Sequence, residues 1–237
     1  RTTHLTDIAP AVRALWRAVL RRTDAFIRRV ETVPLTVKEW DQQRAIYTSP
    51  KTSDFDLGFA FFYLNRTNRT GMMNGGVIGG RKQKGRWGID ARFNRLDLAA
   101  RIRLIGQMRR LISITSHDAM EFVSSLPQSR PTQKTLIYLD PPYFHKGQDL
   151  YTNFYTPDDH ASIARRLRRL SLPWLLTYDD CEEIRTLYSD FRMKASELSY
   201  SAREVRRGRE IVVFSTHVVP PLRSPQRDGF RILEEPR

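Results

Sequence analysis

The chain has 237 residues, which is enough for one good hydrophobic core, or for one core with a small module attached. Its 40 Lys and Arg residues against 26 Asp and Glu give a formal net charge of +14, so nucleic acid is the first expected partner and an anionic membrane surface the second. The single cysteine, Cys181, excludes an intrachain disulfide and a cysteine-based zinc site and fits a reducing cytoplasm, and no apolar run reaches the roughly 20 residues that cross a bilayer.

The first half of the chain reads as a strand end followed by helices. Residues 4–8 resemble the end of a strand, and apolar residues between positions 10 and 30 recur at spacings of three and four, which predicts one buried helical face. Further helices are predicted at residues 37–47, 55–64 and 94–111. The residues expected on the buried side of the last helix are Leu96, Leu98, Ile102, Ile105 and Met108.

Residues 74–86 show the clearest change of composition in the chain. Four glycines within six residues precede Arg81, Lys82, Lys84 and Arg86. A glycine-rich loop leaves its amide groups accessible and can approach a phosphate backbone closely. We therefore predict a pliable, positively charged loop, with a simple glycine turn as the alternative. The spacing does not match a dinucleotide-binding fingerprint.

Strands and helices alternate in the second half, which predicts an α/β sheet. Short strands are expected at residues 112–115 and 173–178, a final strand at 210–215, and helices at 161–170 and 181–188. The continuous apolar run at 135–139 is typical of a buried parallel strand. From residue 220 onward proline and charge predominate, which indicates either an ordered end or a loose tail.

The predicted strand at 135–139 ends in Asp140-Pro141-Pro142-Tyr143, at the sheet edge where open α/β folds bind ligands. One reaction that such a motif could serve is methylation of the 6-amino group of adenine. That amine is a poor nucleophile because its lone pair is delocalised into the ring. Two acceptors aimed at its hydrogens, the Asp140 carboxylate and the Pro141 carbonyl, would localise that pair, and both prolines fix the backbone. Tyr143 offers a face for base stacking, worth about 1–3 kcal/mol, once the base has left the duplex. The alternative is a rigid turn with Tyr143 in the core.

This motif and its surroundings resemble the adenine-specific class of amino-methylating DNA methyltransferases that includes the Dam-type enzymes. The segments that carry the resemblance are Asp140-Pro141-Pro142-Tyr143-Phe144 with Tyr151, Phe154 and Asp159-His160, residues 61–67, residues 75–80, and residues 5–8 followed by Pro10. Ala9 departs from the usual second cofactor motif. The resemblance runs from the first residues to about His217.

The resemblance implies an α/β fold, with a Rossmann-like S-adenosylmethionine-dependent methyltransferase sheet and an inserted, mostly helical and loop-rich target-recognition segment. The implied divisions are residues 1–35 as a remnant of the cofactor-binding half, 36–110 as the target-recognition insert, 111–217 as the catalytic half and 218–237 as a tail. The implied reaction is direct methyl transfer from S-adenosylmethionine to the 6-amino group of adenine in double-stranded DNA, with base flipping and without a metal or a covalent enzyme intermediate.

The resemblance also implies roles for individual residues. Those expected to act in catalysis are Asp140, Pro141, Pro142 and Tyr143. Those expected to bind the cofactor are Asp7, Ile8, Asp118 and Asp140. Those expected to bind the target base or DNA are Tyr143, Phe144, the candidate lid residues Tyr151 and Phe154, then Asn65, Arg66, Arg81, Lys82, Lys84 and Arg86. Asn65 and Arg66 are equally open to a purely structural role.

One departure concerns the cofactor site. Members of the class carry a glycine-containing loop after their first strand, and no such loop precedes Asp7. Either the chain starts inside a longer protein or it lacks a complete cofactor site, so we expect this segment alone to bind S-adenosylmethionine poorly and to be inactive.

Rival interpretations remain open. They are a basic protein without a polyanionic partner, a non-catalytic DNA-binding module with the same fold, and an amino-methyltransferase acting on RNA or on a protein amine. The histidines lie at no metal-ligand spacing, so no metal is expected. We expect a monomeric, cytoplasmic enzyme of prokaryotic or phage type, and restriction-modification, a phage function and host-genome marking are all compatible with the sequence.

Overall fold

The computed structural model describes residues 2–125, 135–145, 155–202, 204–219 and 230–233. The chain divides into two compact units, Arg1–Asp118 and Ala119–Arg237. Both contain helices and strands, in agreement with the predicted α/β class. The functional divisions expected at residues 35, 110 and 217 remain predictions. Among the residues described, no helix is long and apolar enough to span a membrane.

The first unit is mostly helical. Its two strands, β1 (Thr3–Thr6) and β2 (Ile112–Thr115), pair in parallel. Along the chain, β1 precedes the helices of this unit and β2 follows them. The helices are α1 (Pro10–Arg21), α2 (Thr23–Thr32), α3 (Val37–Thr48), α4 (Asp54–Thr67) and α5 (Arg95–Gln107), with a short 3-10 turn at Arg69–Gly71. The side chains of Thr36, Ser53 and Asn94 cap α3, α4 and α5 by accepting a backbone N–H three residues on. The predictions of the strands at 4–8 and 112–115 and of these three helices are confirmed.

Two details of the predicted helices are wrong. The stretch from residue 10 to residue 30 is two helices, because Arg22 leaves the helical region with φ −132° and ψ 40°. In α5, Leu96 is 82% exposed because it lies two residues, about 200° of helical rotation, from the buried Leu98. Met108 follows the last helical residue and is 38% exposed.

The core of the first unit is rich in aromatic side chains. The ring of Phe26 on α2 makes edge contacts with three rings of α4, those of Phe55, Phe59 and Phe62, at centroid distances of 5.3–6.0 Å. Such edge-to-face pairs stabilise a core beyond the area they bury. A long apolar run such as residues 55–64 therefore forms a helix that is buried on most of its circumference.

The second unit contains a five-stranded mixed sheet. The strands are β3 (Ile137–Leu139), β4 (Trp174–Asp179), β5 (Arg192–Ala202), β6 (Glu204–Phe214) and β7 (Phe230–Leu233). Their order is β3-β4-β6-β5-β7, in which only β3 and β4 are parallel. The helices among its described residues are α6 (Ala119–Ser125), α7 (Pro157–Arg168) and α8 (Glu182–Leu187). Buried residues of β3, β4, β6 and α7 form the core.

The predicted β3, β4, α7 and α8 are confirmed with small shifts of their ends. Helix α7 begins at Pro157 because Thr156 and Asp159 form a reciprocal capping box before it. The expectation that residues 210–215 form the final strand is wrong. They belong to the longer strand β6, which pairs with the unpredicted β5, and β7 lies within the expected tail.

Gly58 is predicted to be essential for the crossing of α1 and α4. A Cβ atom at this position would lie 2.6 Å from the backbone of Ala14 and of Leu15. Alanine has the better helix propensity by about 1 kcal/mol, but this overlap involves backbone that cannot rotate away. We expect Gly58→Ala to lower the free energy of unfolding by about 1–3 kcal/mol in a denaturant titration.

Gly106→Ala is the matched control on α5. There the added methyl group meets the side chain of Thr23, so a second change, Thr23→Ala, removes the two closest atoms and should restore part of the lost stability. If Gly58→Ala were as stable as the unchanged protein, the close backbone approach of the two helices would be contradicted.

Candidate active site and nucleic-acid interface

Asp140 follows the last residue of β3 and is held by the neighbouring strand β4. The hydroxyl of Thr177 donates to Asp140 Oδ1 at 2.9 Å. Because this uses the only hydrogen of the Thr177 hydroxyl, the 3.0 Å contact between the Tyr138 and Thr177 oxygens makes Tyr138 the donor. Partial burial, and then the charge of Asp140, raise the pKa of Tyr138, which keeps that donor protonated. The two hydroxyls thus form a chain that ends on one oxygen of the carboxylate.

The second oxygen, Asp140 Oδ2, and the carbonyl of Pro141 accept no hydrogen bond from any residue in the described part of the chain. Asp140 itself is exposed, whereas Pro141 is buried. The carboxylate is therefore held through one oxygen, and its other oxygen has no hydrogen-bond partner among the described residues.

The residues after Pro142 are fixed by two carboxylates from adjacent strands. Tyr143 donates its hydroxyl hydrogen to Glu210 Oε1 on β6. Asp179, at the end of β4 and only 9% exposed, accepts the backbone N–H of Phe144 at 2.8 Å and that of His145 at 3.2 Å. Glu210 and Asp179 are direct partners in the register of β4 and β6. The cross-strand pair of Asp179 and Glu210 therefore holds the turn after the prolines.

Behind the turn lies the buried His160 of α7. The ring of Phe144 packs on it at a centroid distance of 4.9 Å, and its Nδ1 lies 2.8 Å from the Tyr178 hydroxyl. Burial lowers the pKa of His160, so the ring is neutral at physiological pH. The structure thus places Phe144, a predicted base-binding residue, against the core of the second unit, and its contact with substrate stays a prediction.

Cys181 lies close to this turn but lacks the properties of a nucleophile. Burial raises the pKa of its thiol to about 11, so the thiolate is scarce at neutral pH. The ligand atoms of Cys181, His145 and Glu183 lie within 4.8 Å of one another, a grouping that linear spacing did not reveal. Tyr151 and Phe154, the predicted lid residues, lie outside the described residues.

The predicted cofactor residues Asp7 and Asp118 follow the two parallel strands of the first unit and so lie at the same sheet edge. The carboxylate of Asp7 accepts the backbone N–H of Ala9 at 2.7 Å, and the Arg13 guanidinium donates to the carbonyls of Asp7 and Ile8. The hydroxyl of Thr6 donates to the carbonyl of His117, which ties the two strand ends together. Ile8 is 38% exposed.

Asn65 and Arg66, at the end of α4, have structural contacts. The Asn65 amide donates to the Gly71 carbonyl at 3.1 Å and so supports the turn that follows the helix. Burial lowers the pKa of Arg66, with repulsion from Arg92 and Arg101 adding to the effect. The Nε of Arg66 is buried without a hydrogen-bond partner in the described part of the chain. Whether either residue also contacts DNA stays a prediction.

The glycine-rich loop is held more firmly than its composition suggests. The Gln83 amide donates to the carbonyls of Ile78 and Gly80, and its oxygen accepts the N–H of Ile89. Gly79 and Gly80 take φ values of 80° and 72°, which glycine adopts without strain. The loop is therefore a series of turns that one glutamine side chain closes, and its predicted pliability stays a prediction.

The four cations of this loop are not equivalent. Arg81 forms a two-pronged ion pair with Asp41, both contacts at 2.8 Å, which lowers the pKa of Asp41. Lys82, Lys84 and Arg86 are exposed, and none of them forms an ion pair with a described residue. The structure therefore leaves these three positive charges available for a phosphate backbone, whereas Arg81 would first have to leave its carboxylate.

Residues 2–202 match the family model of the D12 class N6 adenine-specific DNA methyltransferases. The chain belongs to this family. A search of the curated proteins finds no match. This match confirms the resemblance that the Asp-Pro-Pro-Tyr motif indicated. Its family identifies the chain as an adenine-specific DNA methyltransferase.

Three residues of this methyltransferase that hold the motif in place were not predicted from the sequence: Thr177, Asp179 and Glu210. The first two carried a usable signal, since polar residues that end the next buried strand lie at the same sheet edge as Asp140. Glu210 carried none, because its position depends on the antiparallel pairing of β4 with β6.

Asp179→Asn should impair methyl transfer by this enzyme because it loosens the turn that follows the motif. An asparagine can accept only one of the two N–H groups and turns its own amide hydrogens toward the other. We expect kcat to fall by about 10- to 100-fold and the free energy of unfolding by about 1–3 kcal/mol.

Asp190→Asn is the control, because the Asp190 carboxylate forms an exposed ion pair with Arg168 at 2.8 Å. Exposed pairs contribute about 0–1 kcal/mol, and kcat should not change. Equal losses of kcat in the two variants would contradict the positioning role of Asp179.

Proposed function

We propose that the protein methylates the 6-amino group of adenine in double-stranded DNA, using the second carboxylate oxygen of Asp140 and the carbonyl of Pro141 to activate the amine. The family assignment supports the reaction, and the hydrogen bond from Thr177 to Asp140 Oδ1 is the observation that supports the mechanism. That bond orients the carboxylate, and Oδ2, which accepts no hydrogen bond from a described residue, can accept an amine hydrogen.

The residues present fit a nucleoside cofactor. At the edge of the two-stranded sheet, the Asp7 carboxylate is partly buried and oriented by the Ala9 N–H, which suits it to accept hydrogen bonds from ribose hydroxyls. The exposed apolar side chain of Ile8 lies next to it, and Asp118 shares the edge. When bound, S-adenosylmethionine supplies an electrophilic methyl group on a positively charged sulfur. We propose that these strands form part of a Rossmann-like methyltransferase sheet.

The chain's own contribution to the chemistry is made by acceptors. Asp140 Oδ2 and the Pro141 carbonyl each accept one amine hydrogen, which draws the nitrogen toward tetrahedral geometry and localises its lone pair. The two prolines fix the backbone and bring no N–H that would compete for the same oxygens. After methylation the nitrogen holds one proton too many, and Asp140 is the nearest base that can accept it. The raised pKa of Cys181 agrees with a route that has no covalent enzyme intermediate.

Tyr143 and Phe144 complete the proposed site. The bond to Glu210 fixes the Tyr143 ring, which is partly exposed and can stack on a flipped adenine. Preorganisation of this kind lowers the entropy that the side chain loses when the base binds. Tyr151 and Phe154 remain candidates for the opposite face of the base.

DNA is held, in this proposal, by the exposed cations of the loop after Gly80, which are Lys82, Lys84 and Arg86. Contacts with phosphates position a duplex without reading its sequence. We propose that one copy of the chain acts on each target site. A DNA substrate further suggests the cytoplasm of a prokaryotic or phage-infected cell, where restriction-modification is one role that such methylation serves.

Asp140→Ala should abolish methyl transfer while DNA binding persists. The test is transfer of tritium from labelled S-adenosylmethionine to adenine-containing duplex DNA, by this chain and by a version extended at its amino terminus. Loss of the acceptor should lower transfer by about 10²- to 10⁴-fold. Asp158→Ala, at an exposed aspartate of α7, is the control and should stay active. Absence of transfer by both unchanged proteins, with salt-sensitive DNA binding intact, would contradict the proposal and favour a non-catalytic DNA-binding module.

Thr177→Val should lower kcat with little effect on the KM for DNA. Valine keeps the shape of threonine but cannot donate to Asp140, so the carboxylate loses the contact that orients it. A hydrogen bond to a charged group is worth about 1.5–3 kcal/mol, which corresponds to about a 10- to 100-fold loss of kcat. Thr177→Ser retains the hydroxyl and should retain most activity. Equal activity of the valine and serine variants would show that the bond does not serve catalysis.

A further inference from the structure

Trp87 is a large aromatic side chain that the first unit leaves in water. It is 62% exposed, whereas Trp40 and Trp174 are buried, at 5% and 1%, and Trp16 is partly buried. A buried aromatic side chain contributes strongly to the stability of a fold, as Trp40 and Trp174 do here. The exposed ring of Trp87 lacks this contribution. Exposed aromatic rings are a common feature of binding surfaces.

The surroundings of Trp87 are positively charged. The guanidinium of Arg86 lies over the ring at 5.3 Å from its centroid, and Lys82 and Lys84 are exposed on the same loop. No described carboxylate forms an ion pair with any of these three cations, although Arg81 nearby is neutralised by Asp41. The loop therefore presents one flat apolar face among three positive charges that are not paired within the described residues.

The backbone on either side of Trp87 is closely packed. A Cβ atom on Gly79 would lie 2.7 Å from the Trp87 carbonyl oxygen, and one on Gly85 would lie 2.8 Å from Gly79, so the two arms of the loop pack closely. Two residues beyond Trp87, the buried Ile89 donates its N–H to Gln83 at 3.0 Å. The ring is thus presented on a closed loop, which reduces the entropy lost on binding.

We propose that Trp87 stacks on a base of the bound DNA while Lys82, Lys84 and Arg86 contact the neighbouring phosphates. The combination of an aromatic face with surrounding cations matches the chemistry of a nucleic-acid strand, in which planar bases alternate with negative charges. A duplex offers such a base where a pair opens or a base step is parted, as base extraction requires. This inference rests on the proposed function, because it assumes that the protein binds DNA.

Stacking and charge pairing can be separated by salt. Loss of a phosphate contact reduces the slope of log K against log salt by about 0.9, whereas loss of a stacked base leaves that slope unchanged. We expect Trp87→Ala to weaken binding of an adenine-containing duplex about 5- to 100-fold at every salt concentration. Trp87→Phe should recover part of the affinity. Lys84→Ala should instead change the slope.

Leu96→Ala is the matched control, since Leu96 is an apolar side chain of the same unit that is 82% exposed and lies outside the loop. It should bind DNA as the unchanged protein does. Because both side chains are exposed, neither alanine variant should shift the thermal unfolding midpoint. A comparison of acrylamide quenching in the unchanged protein and in Trp87→Phe isolates the fluorescence of Trp87, which should be quenched in free protein and protected by saturating DNA.

The outcomes distinguish this inference from the proposed function. Unchanged affinity in Trp87→Ala, or a Trp87 that is already shielded without DNA, overturns the stacking contact. If Lys84→Ala then still changes the salt slope and Asp140→Ala still abolishes transfer, the proposed function stands without it. If the unchanged protein shows neither salt-dependent DNA binding nor methyl transfer, the proposed function fails as well.

Discussion

The arrangement of the motif depends on the pairing of β4 with β6, which places two carboxylates opposite each other at the end of the sheet. Asp179 accepts two backbone N–H groups of the turn after the prolines, and Glu210 accepts the hydroxyl of Tyr143. With Thr177 on Asp140, the contacts that hold the motif come from β4, the neighbour of β3, and from β6, the next strand of the sheet. A slip of β6 against β4 by one residue would move the Glu210 carboxylate to the other face of the sheet and release Tyr143.

Many of the charged side chains also hold the fold together. A formal net charge of +14 suggests many free cations, but several arginines serve the fold. Arg95 donates to three carbonyls at the end of α2, Arg29 pairs with Asp56, and Arg81 pairs with Asp41. The charges left for a polyanion are therefore fewer than composition indicates. Three of them, Lys82, Lys84 and Arg86, lie together on one loop, an arrangement that suits a phosphate backbone.

The fold was predictable where local rules and burial agree. Helices α3, α4 and α5 carry side-chain caps and apolar periodicity, and the apolar strands β3 and β4 end in polar residues. Prediction failed where a residue's environment depends on distant neighbours. Leu96 reads as apolar and helical, yet it faces water because the packed face of α5 is set by Leu98 and Ile102. Strand β5 was missed because its partners lie in β6 and β7, and a hairpin of mixed polarity leaves little local signal.

The amino-acid sequence by itself determined the chemistry of the motif and the family, because Asp140, Pro141 and Tyr143 are contiguous and their functional groups are fixed by covalent structure. Only the tertiary structure decided that Thr177 holds one oxygen of Asp140, and that Arg81 is neutralised while Trp87 is exposed. Each of these depends on a partner 37 to 40 residues away, or on the absence of neighbours that would cover a ring. Contacts over such separations follow from how strands and helices pack, and no local pattern records them.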